Sequence, residues 1–392
     1  MNRPKRRERS GAEGQGLQGV FVVLLAAALV GSSTSTFTQN ETANADGWLF
    51  ADPTYELSFP RDHAAHPGHK IEWWYYTGNL RTAKGRRFGY QLTFFRVGVD
   101  RQPANPSQWA VRDLHMAHLA ITDVDRGVHR VAERLNRAGV GWAGASVDTL
   151  DVWNEGWRAS FEGGAHRLQA VENHQSGRLF IDLRLDGLAE PILHGDRGFS
   201  QKGAVAGNAS HYYSFTRLET RGRIEVDGEA FEVTGSSWMD HEFGSSFLEP
   251  VQAGWDWFSV QLDDGTDLMM YTLRRLDGVL DVQSSATVVT PDDVVHLQFD
   301  DFRLIPGRRW TSSLSGASYP VEWQITVPSL GLVLEAVAPV DAQELVTAQS
   351  TGVTYWEGTI DVSGMHDGVP VSGLGYLEMT GYAGAPMSDV LR

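Results

Sequence analysis

The chain has no cysteine in its 392 residues, which removes disulfides and thiolate metal sites. It also lacks positive balance. Its 33 Lys and Arg face 49 Asp and Glu, for a formal net charge of −16. A body of that sign repels nucleic acid and anionic membranes. Several catalytic signatures are missing as well. The sequence has no Gly-x-Ser-x-Gly elbow, no phosphate loop, no strand–glycine loop–helix dinucleotide fingerprint and no His-Glu-x-x-His. A serine hydrolase is therefore unsupported, although triads are defined by geometry and can escape a sequence motif. No long segment has helical periodicity, and no apolar run is long enough for a comfortable transmembrane helix.

Aromatic residues are abundant: 13 Trp, 17 Phe and 11 Tyr within a 42% hydrophobic composition. The length favours two or three domains. Arg3, Lys5, Arg6, Arg7 and Arg9 precede the apolar run 20–30, and small polar residues fill 31–36. That order is the signature of an export signal. Residues 1–45 are accordingly expected to be a signal peptide or signal anchor with a spacer. Cleavage is expected near 32–35. The protein is expected in the periplasm, outside the cell, or attached to the inner membrane by residues 20–30.

The body reads as all-β. Short β-rich runs with turn punctuation occur at 88–97, 115–124, 178–185, 212–226, 231–239, 280–290, 294–305, 321–327, 330–338, 355–362 and 375–381. The clearest hairpin joins 257–262 to 267–274 through Asp263-Asp264-Gly265. These strands are too many for one small barrel. Two β domains are expected, 46–240 and 241–392, with the change near 235–250.

The densest chemistry lies in Trp238-Met239-Asp240-His241-Glu242-Phe243-Gly244 and Gly254-Trp255-Asp256-Trp257. Aromatic walls lower the local dielectric and shift the pKa of enclosed carboxylates and imidazoles. His241 is the leading acid/base candidate, because imidazole titrates near neutrality. On an extended strand Asp240 and Glu242 face away from His241, and Asp256 faces away from Trp255 and Trp257. Asp256 shares its face with Phe258, Val260 and Leu262. It reads either as a proton donor kept protonated by burial or as a residue paired with an arginine. The expected site unites His241 and Asp256 with Asp240 and Glu242. Trp74, Tyr75, Tyr213, Trp238, Trp255, Trp257 and Tyr271 are the expected aromatic walls. Glu72 either reaches this site from the first domain or pairs with Arg96. His63, His66 and His69, like His115 and His118, have metal-ligand spacing, but Pro67-Gly68 breaks the first set. No metal and no organic cofactor is expected.

The motifs also resemble a known family. His66-Pro67-Gly68 with Glu72-Trp73-Trp74-Tyr75-Tyr76-Thr77-Gly78 is similar to the opening of the AttH-like family, which includes the carotenoid 1,2-hydratases. Gln91–Arg96, Ala117-His118-Leu119-Ala120, Tyr212-Tyr213-Ser214, the two segments above, Tyr355-Trp356-Glu357-Gly358 and the closing 375–382 continue the likeness over roughly 50–385. The resemblance implies two lipocalin-like β-barrel domains packed together. It also implies chemistry on an apolar metabolite, such as addition of water to a carotenoid alkene. The hydratase branch pairs a His-x-aromatic element with a Tyr-x-Asp strand. His241 and Phe243 match the first, whereas no carboxylate accompanies Tyr271 in 269–274. The departure argues against authentic carotenoid hydration. The leading expectation is an exported, cofactor-free enzyme that hydrates or isomerises a double bond in an isoprenoid- or lipid-like small molecule. A non-catalytic carrier of such a ligand and a cryptic secreted hydrolase are the alternatives.

Overall fold

The computed structural model describes residues 42–387 apart from 108, 175, 176, 188, 189, 206, 247, 385 and 386. The proposed leader thus falls almost wholly outside the described residues. Two antiparallel sheets dominate. In the thirteen-stranded sheet the centre runs Asp113–Asp123, Arg87–Gly98, Ile71–Arg81, Glu229–Ser246, Ala209–Val226 and Gly177–Asp186. Its outer strands curl round until Asn136 donates to Asn154 Oδ1 at 2.8 Å, and the sheet becomes a nearly closed barrel. In the ten-stranded sheet the centre runs Asp267–Arg275, Gln252–Leu262, Val369–Met379, Thr354–His366 and Leu332–Val337. The named helices are four three-residue 3-10 turns. The all-β expectation holds.

Each sheet encloses its own core. Trp74, Tyr76, Leu92, Phe94, Tyr213 and Met239 belong to the first, and Phe258, Val260, Met270, Trp356, Leu377 and Met379 to the second. The alternate residues of the same strands meet between the sheets. Tyr75, Tyr212, Trp238, Trp257, Met269, Tyr271, Leu273 and Tyr376 form a third buried cluster there. Strands covered on both faces lose the alternation that marks a half-exposed strand. This is why Ile71–Arg81, apolar on both faces, is absent from the strands expected above. Val128–Arg137, Asp151–Asn154, Trp157–Glu162 and Ala165–His174 are absent too, being short or rich in charge.

The seam is close-packed and bonded. Gly89 is one of its closest approaches, since a Cβ there would lie 2.8 Å from Thr359 Cβ. Asn79 Nδ2 donates to the Gly375 carbonyl at 3.1 Å, and Gln261 Nε2 to the Thr216 carbonyl at 2.6 Å. The described residues form one compact unit. The first sheet ends at Ser246 and the second begins at Gln252. The boundary drawn at 240/241 falls within the continuous strand Glu229–Ser246, and the chain passes from one sheet to the other between Ser246 and Gln252.

Candidate active site between the two sheets

Strand Glu229–Ser246 carries two different sets of polar groups, one on each face. Inside the first barrel, Glu72 is fully buried. Its Oε1 lies 2.9 Å from His241 Nε2 and 2.9 Å from His66 Nδ1, and its Oε2 accepts from Arg96 Nε at 3.0 Å. His241 Nδ1 lies 2.9 Å from the Tyr213 hydroxyl, which lies 2.7 Å from His63 Nδ1. Trp74 stacks on His241 at 4.9 Å. Burial opposes the charge of Glu72, but Arg96 and the two imidazoles outweigh it and hold the carboxyl well below its ordinary pKa. His66, Glu72 and His241 place ligand atoms within 4.8 Å of one another. Arg96 supplies a neighbouring cation on the other carboxylate oxygen of Glu72.

The other face opens into a cavity of about 270 Å³ between the sheets. Trp73, Tyr75 and Phe95 line it from the first sheet, and Trp255, Trp257 and Tyr271 from the second. Partly exposed Phe95, Leu114 and Leu248 are among its lining residues. Four carboxyls and one lysine enter these apolar walls: Asp240, Glu242, Glu357, Glu378 and Lys202.

Asp240 accepts hydrogen bonds from Trp238 Nε1 at 2.6 Å, from Tyr212 Oη at 2.8 Å and from Ser214 Oγ. Tyr212 in turn accepts from Trp257 Nε1 at 3.0 Å. Burial pushes the Asp240 carboxyl up, the three donors pull it back, and it settles at about 7. Glu378 accepts from Trp255 Nε1 at 3.0 Å. Burial again dominates and places its pKa at about 8. Glu357 stands opposite Glu378 in the strand register and accepts from Tyr75 Oη at 2.8 Å. Burial and the charge of Glu378 raise it well above the carboxylate range. Glu242 pairs with Lys202 Nζ at 3.0 Å and accepts from Ser210 Oγ. Burial disfavours the Lys202 ammonium, but Glu242 and Tyr271 more than offset it, and its pKa is raised. Nζ also sits 4.2 Å over the Tyr271 ring.

The sequence expectations divide along this seam. Asp240, Glu242, Tyr75, Trp255, Trp257 and Tyr271 do share one cavity. Trp238 lies beside it, edge-on to Trp257 at 6.3 Å. Glu72, Trp74, Tyr213 and His241 face the first barrel's interior. The expectation that His241 and Asp256 share a site is therefore corrected. Asp256 faces the second core, bonded to Arg274 at 3.1 Å and to Tyr382 Oη at 3.0 Å. Strand parity is the reason, since neighbours in sequence belong to opposite faces. The arginine-pairing alternatives hold for both Glu72 and Asp256. The histidine triplet and pair disperse: His118 joins the cavity, bonded to Tyr355 Oη at 2.6 Å, whereas His69 bonds the Leu49 carbonyl at 3.0 Å. Lys202, Glu357, Glu378 and Tyr212 are site residues absent from the expected set. Glu357 and Glu378 sit in quoted motifs, but only the pairing Trp257↔Glu378 reveals that they face the tryptophans.

A carboxyl raised by folding holds its proton more tightly in the native state. The stability that follows is complete below the unfolded pKa and is lost as pH climbs through the folded one. For Asp240 and Glu378 the window runs from their ordinary values of 3.8 and 4.5 up to about 7 and about 8. Below about pH 6.5 the buried neutral histidines oppose this trend; above it Tm is expected to fall as pH rises, and Glu378→Gln is expected to flatten the upper part of the fall. A Tm that is level or rising from about pH 6.5 to 9 in the unmodified protein would contradict the protonated carboxyls.

Two antiparallel sheets, one a nearly closed barrel, with an aromatic cavity at their seam define a lipocalin-type fold. The chain belongs to the AttH-like family, whose model matches residues 50–382. The crystal structure of an AttH candidate from Nitrosomonas europaea has a similar fold, with a TM-score of 0.77 and 34% identity over 85% of this chain and 99% of that one. Kievitone hydratase from Nectria haematococca shares the fold at a TM-score of 0.63 and 16% identity, over 87% of this chain and 95% of that one. No curated protein matches the sequence.

Proposed function

We propose that the protein is an acid/base enzyme that hydrates or isomerises a double bond in an apolar or amphipathic small molecule bound between the sheets. One observation carries this reading. An aromatic cavity holds Asp240 and Glu378 with pKa values of about 7 and about 8, beside the Lys202–Glu242 ion pair. A carboxyl that titrates near neutrality is a proton donor at working pH. Asp240 is the proposed donor to the alkene carbon. Glu242, which lies 3.0 Å from Lys202 Nζ, is the proposed base that takes a proton from water or from the adjacent carbon. Glu357 and Glu378, kept protonated, present hydrogen bonds to a polar group of the substrate. A carrier gains nothing from four desolvated carboxyls and a lysine, each of which costs free energy to bury.

The cavity falls just short of the range of about 300–1,000 Å³ typical of pockets for drug-sized molecules. It suits a compact isoprenoid- or lipid-like molecule or one end of a longer one. The family membership and the name of the Nectria haematococca enzyme support hydration as the first choice. The basic, apolar and small-residue order of the N-terminus supports export.

The test is to purify the protein and its Asp240→Asn variant and extract each for mass spectrometry. The extracted ligand is then returned to fresh protein in ¹⁸O-labelled water. Hydration predicts a labelled product from the unmodified protein alone, and isomerisation predicts a new species of unchanged mass. A ligand recovered unchanged from both proteins would overturn catalysis and leave a carrier.

A further inference from the structure

Asp240 is connected to solvent by a hydrogen-bonded chain that leaves the cavity through its rear wall. Ser214 Oγ donates to Asp240 Oδ1. Ser214 Oγ lies 2.6 Å from His194 Nε2, and His194 Nδ1 lies 2.9 Å from Thr287 Oγ1. Thr287 Oγ1 lies 3.2 Å from His296 Nδ1. Ser214, His194 and Thr287 are buried, and His296 is exposed. The chain crosses the seam: Ser214 and His194 come from the first sheet's side, and Thr287 and His296 are opposite each other on Ser285–Val289 and Val294–Gln298.

We propose that Ser214, His194, Thr287 and His296 form a proton relay that recharges Asp240 from solvent after each turnover. The inference rests on the reading of Asp240 as proton donor. Every bond can run in one sense. With His194 protonated on Nε2 and His296 on Nδ1, His296 donates to Thr287, Thr287 to His194, His194 to Ser214 and Ser214 to Asp240. Once Asp240 has given its proton to substrate, Ser214 passes its hydroxyl proton to Oδ1 and takes the Nε2 proton of His194. His194 takes the Thr287 hydroxyl proton on Nδ1, Thr287 takes the Nδ1 proton of His296, and His296 takes a proton from water on Nε2. Each relay group ends with as many protons as it began with. The carboxyl gains one and solvent loses one.

The surroundings fit the role. A relay imidazole has to be neutral, with one nitrogen donating and the other accepting. Burial, His296 and Lys202 hold His194 well below its ordinary pKa. Tyr212 packs on its ring at 4.3 Å. The His241 network is separate, running through Glu72 to His66 on the first barrel's side and not to Asp240.

The test reads Asp240 directly. In the full-length protein, the carboxylic C=O infrared band is assigned by its loss in Asp240→Asn. Its recovery is then followed after a proton is released by photolysis of a caged acid. His194→Gln and the near-isosteric Thr287→Val are expected to slow recovery about a hundredfold, the scale lost when a positioned proton-transfer group is removed. Thr287→Ser, which keeps the hydroxyl, is expected to restore it. The exposed His296→Ala should slow recovery and respond to free imidazole in solution. Recovery at the unmodified rate in Thr287→Val would overturn the relay even if Asp240→Asn abolishes turnover. Slowed recovery together with full turnover in Asp240→Asn would keep the relay and overturn the donor assignment.

Discussion

Asp240→Asn is expected to lower kcat by about 10²–10⁴-fold while the protein stays folded, the cost of removing a positioned acid. The amide preserves the shape of the carboxyl. Its oxygen can still accept from Trp238 and Ser214, and its nitrogen can face the Tyr212 oxygen, which is able to accept as well as donate. Only the transferable proton is lost. The pH dependence adds a sign. A donor with a pKa of about 7 is charged with its proton below that value and empty above it. Activity through Asp240 is therefore expected to fall as pH rises past about 7. Steady-state kinetics from about pH 5 to 9, with Tm measured on the same samples, checks both points. A variant with normal turnover, or one that merely melts early, would defeat the assignment.

Arg96→Met is expected to have the largest effect on stability, about 3–5 kcal/mol, because it strands a buried carboxylate without its cation. Arg96 bonds Glu72 at 3.0 Å, Asp113 at 3.1 Å, and the His66 and His69 carbonyls at 2.9 Å. Methionine fills similar volume but satisfies none of these. Denaturant unfolding measures the loss. Adding Glu72→Gln should return part of it, since an amide tolerates burial better than an ion. At a temperature where the variant remains folded, turnover is expected to stay near normal. A small change in stability with a collapse in turnover would place the active centre inside the first barrel instead.

These paired outcomes reflect what could be read in the sequence. Period two along Asp240-His241-Glu242 and Trp255-Asp256-Trp257 is local, so the separation of faces was legible before any coordinates. Which face held the cavity was not. Asp256 and Glu72 looked like site residues because carboxylates among aromatics are rare, yet each is explained by an arginine distant in sequence, Arg274 and Arg96. Glu378 becomes a site residue only when Val369–Met379 pairs with Gln252–Leu262, more than a hundred residues away. Lys202 follows the short strand Phe199–Gln201, outside any periodic run, and only the ion pair with Glu242 gives it meaning. The strands richest in aromatics were hardest to recognise, because burial on both faces erases alternation.

The two-faced strand Glu229–Ser246 also sets how this family can diverge. Adding or deleting one residue there would turn His241 into the cavity and drive Asp240 and Glu242 into the barrel, exchanging the two polar systems in one step. Length variation is thereby barred from the stretch, whereas single side chains facing the cavity can change without disturbing either core. New ligand preferences are reached by substitution at fixed length, at apolar cavity-lining positions such as Phe95 and Leu248.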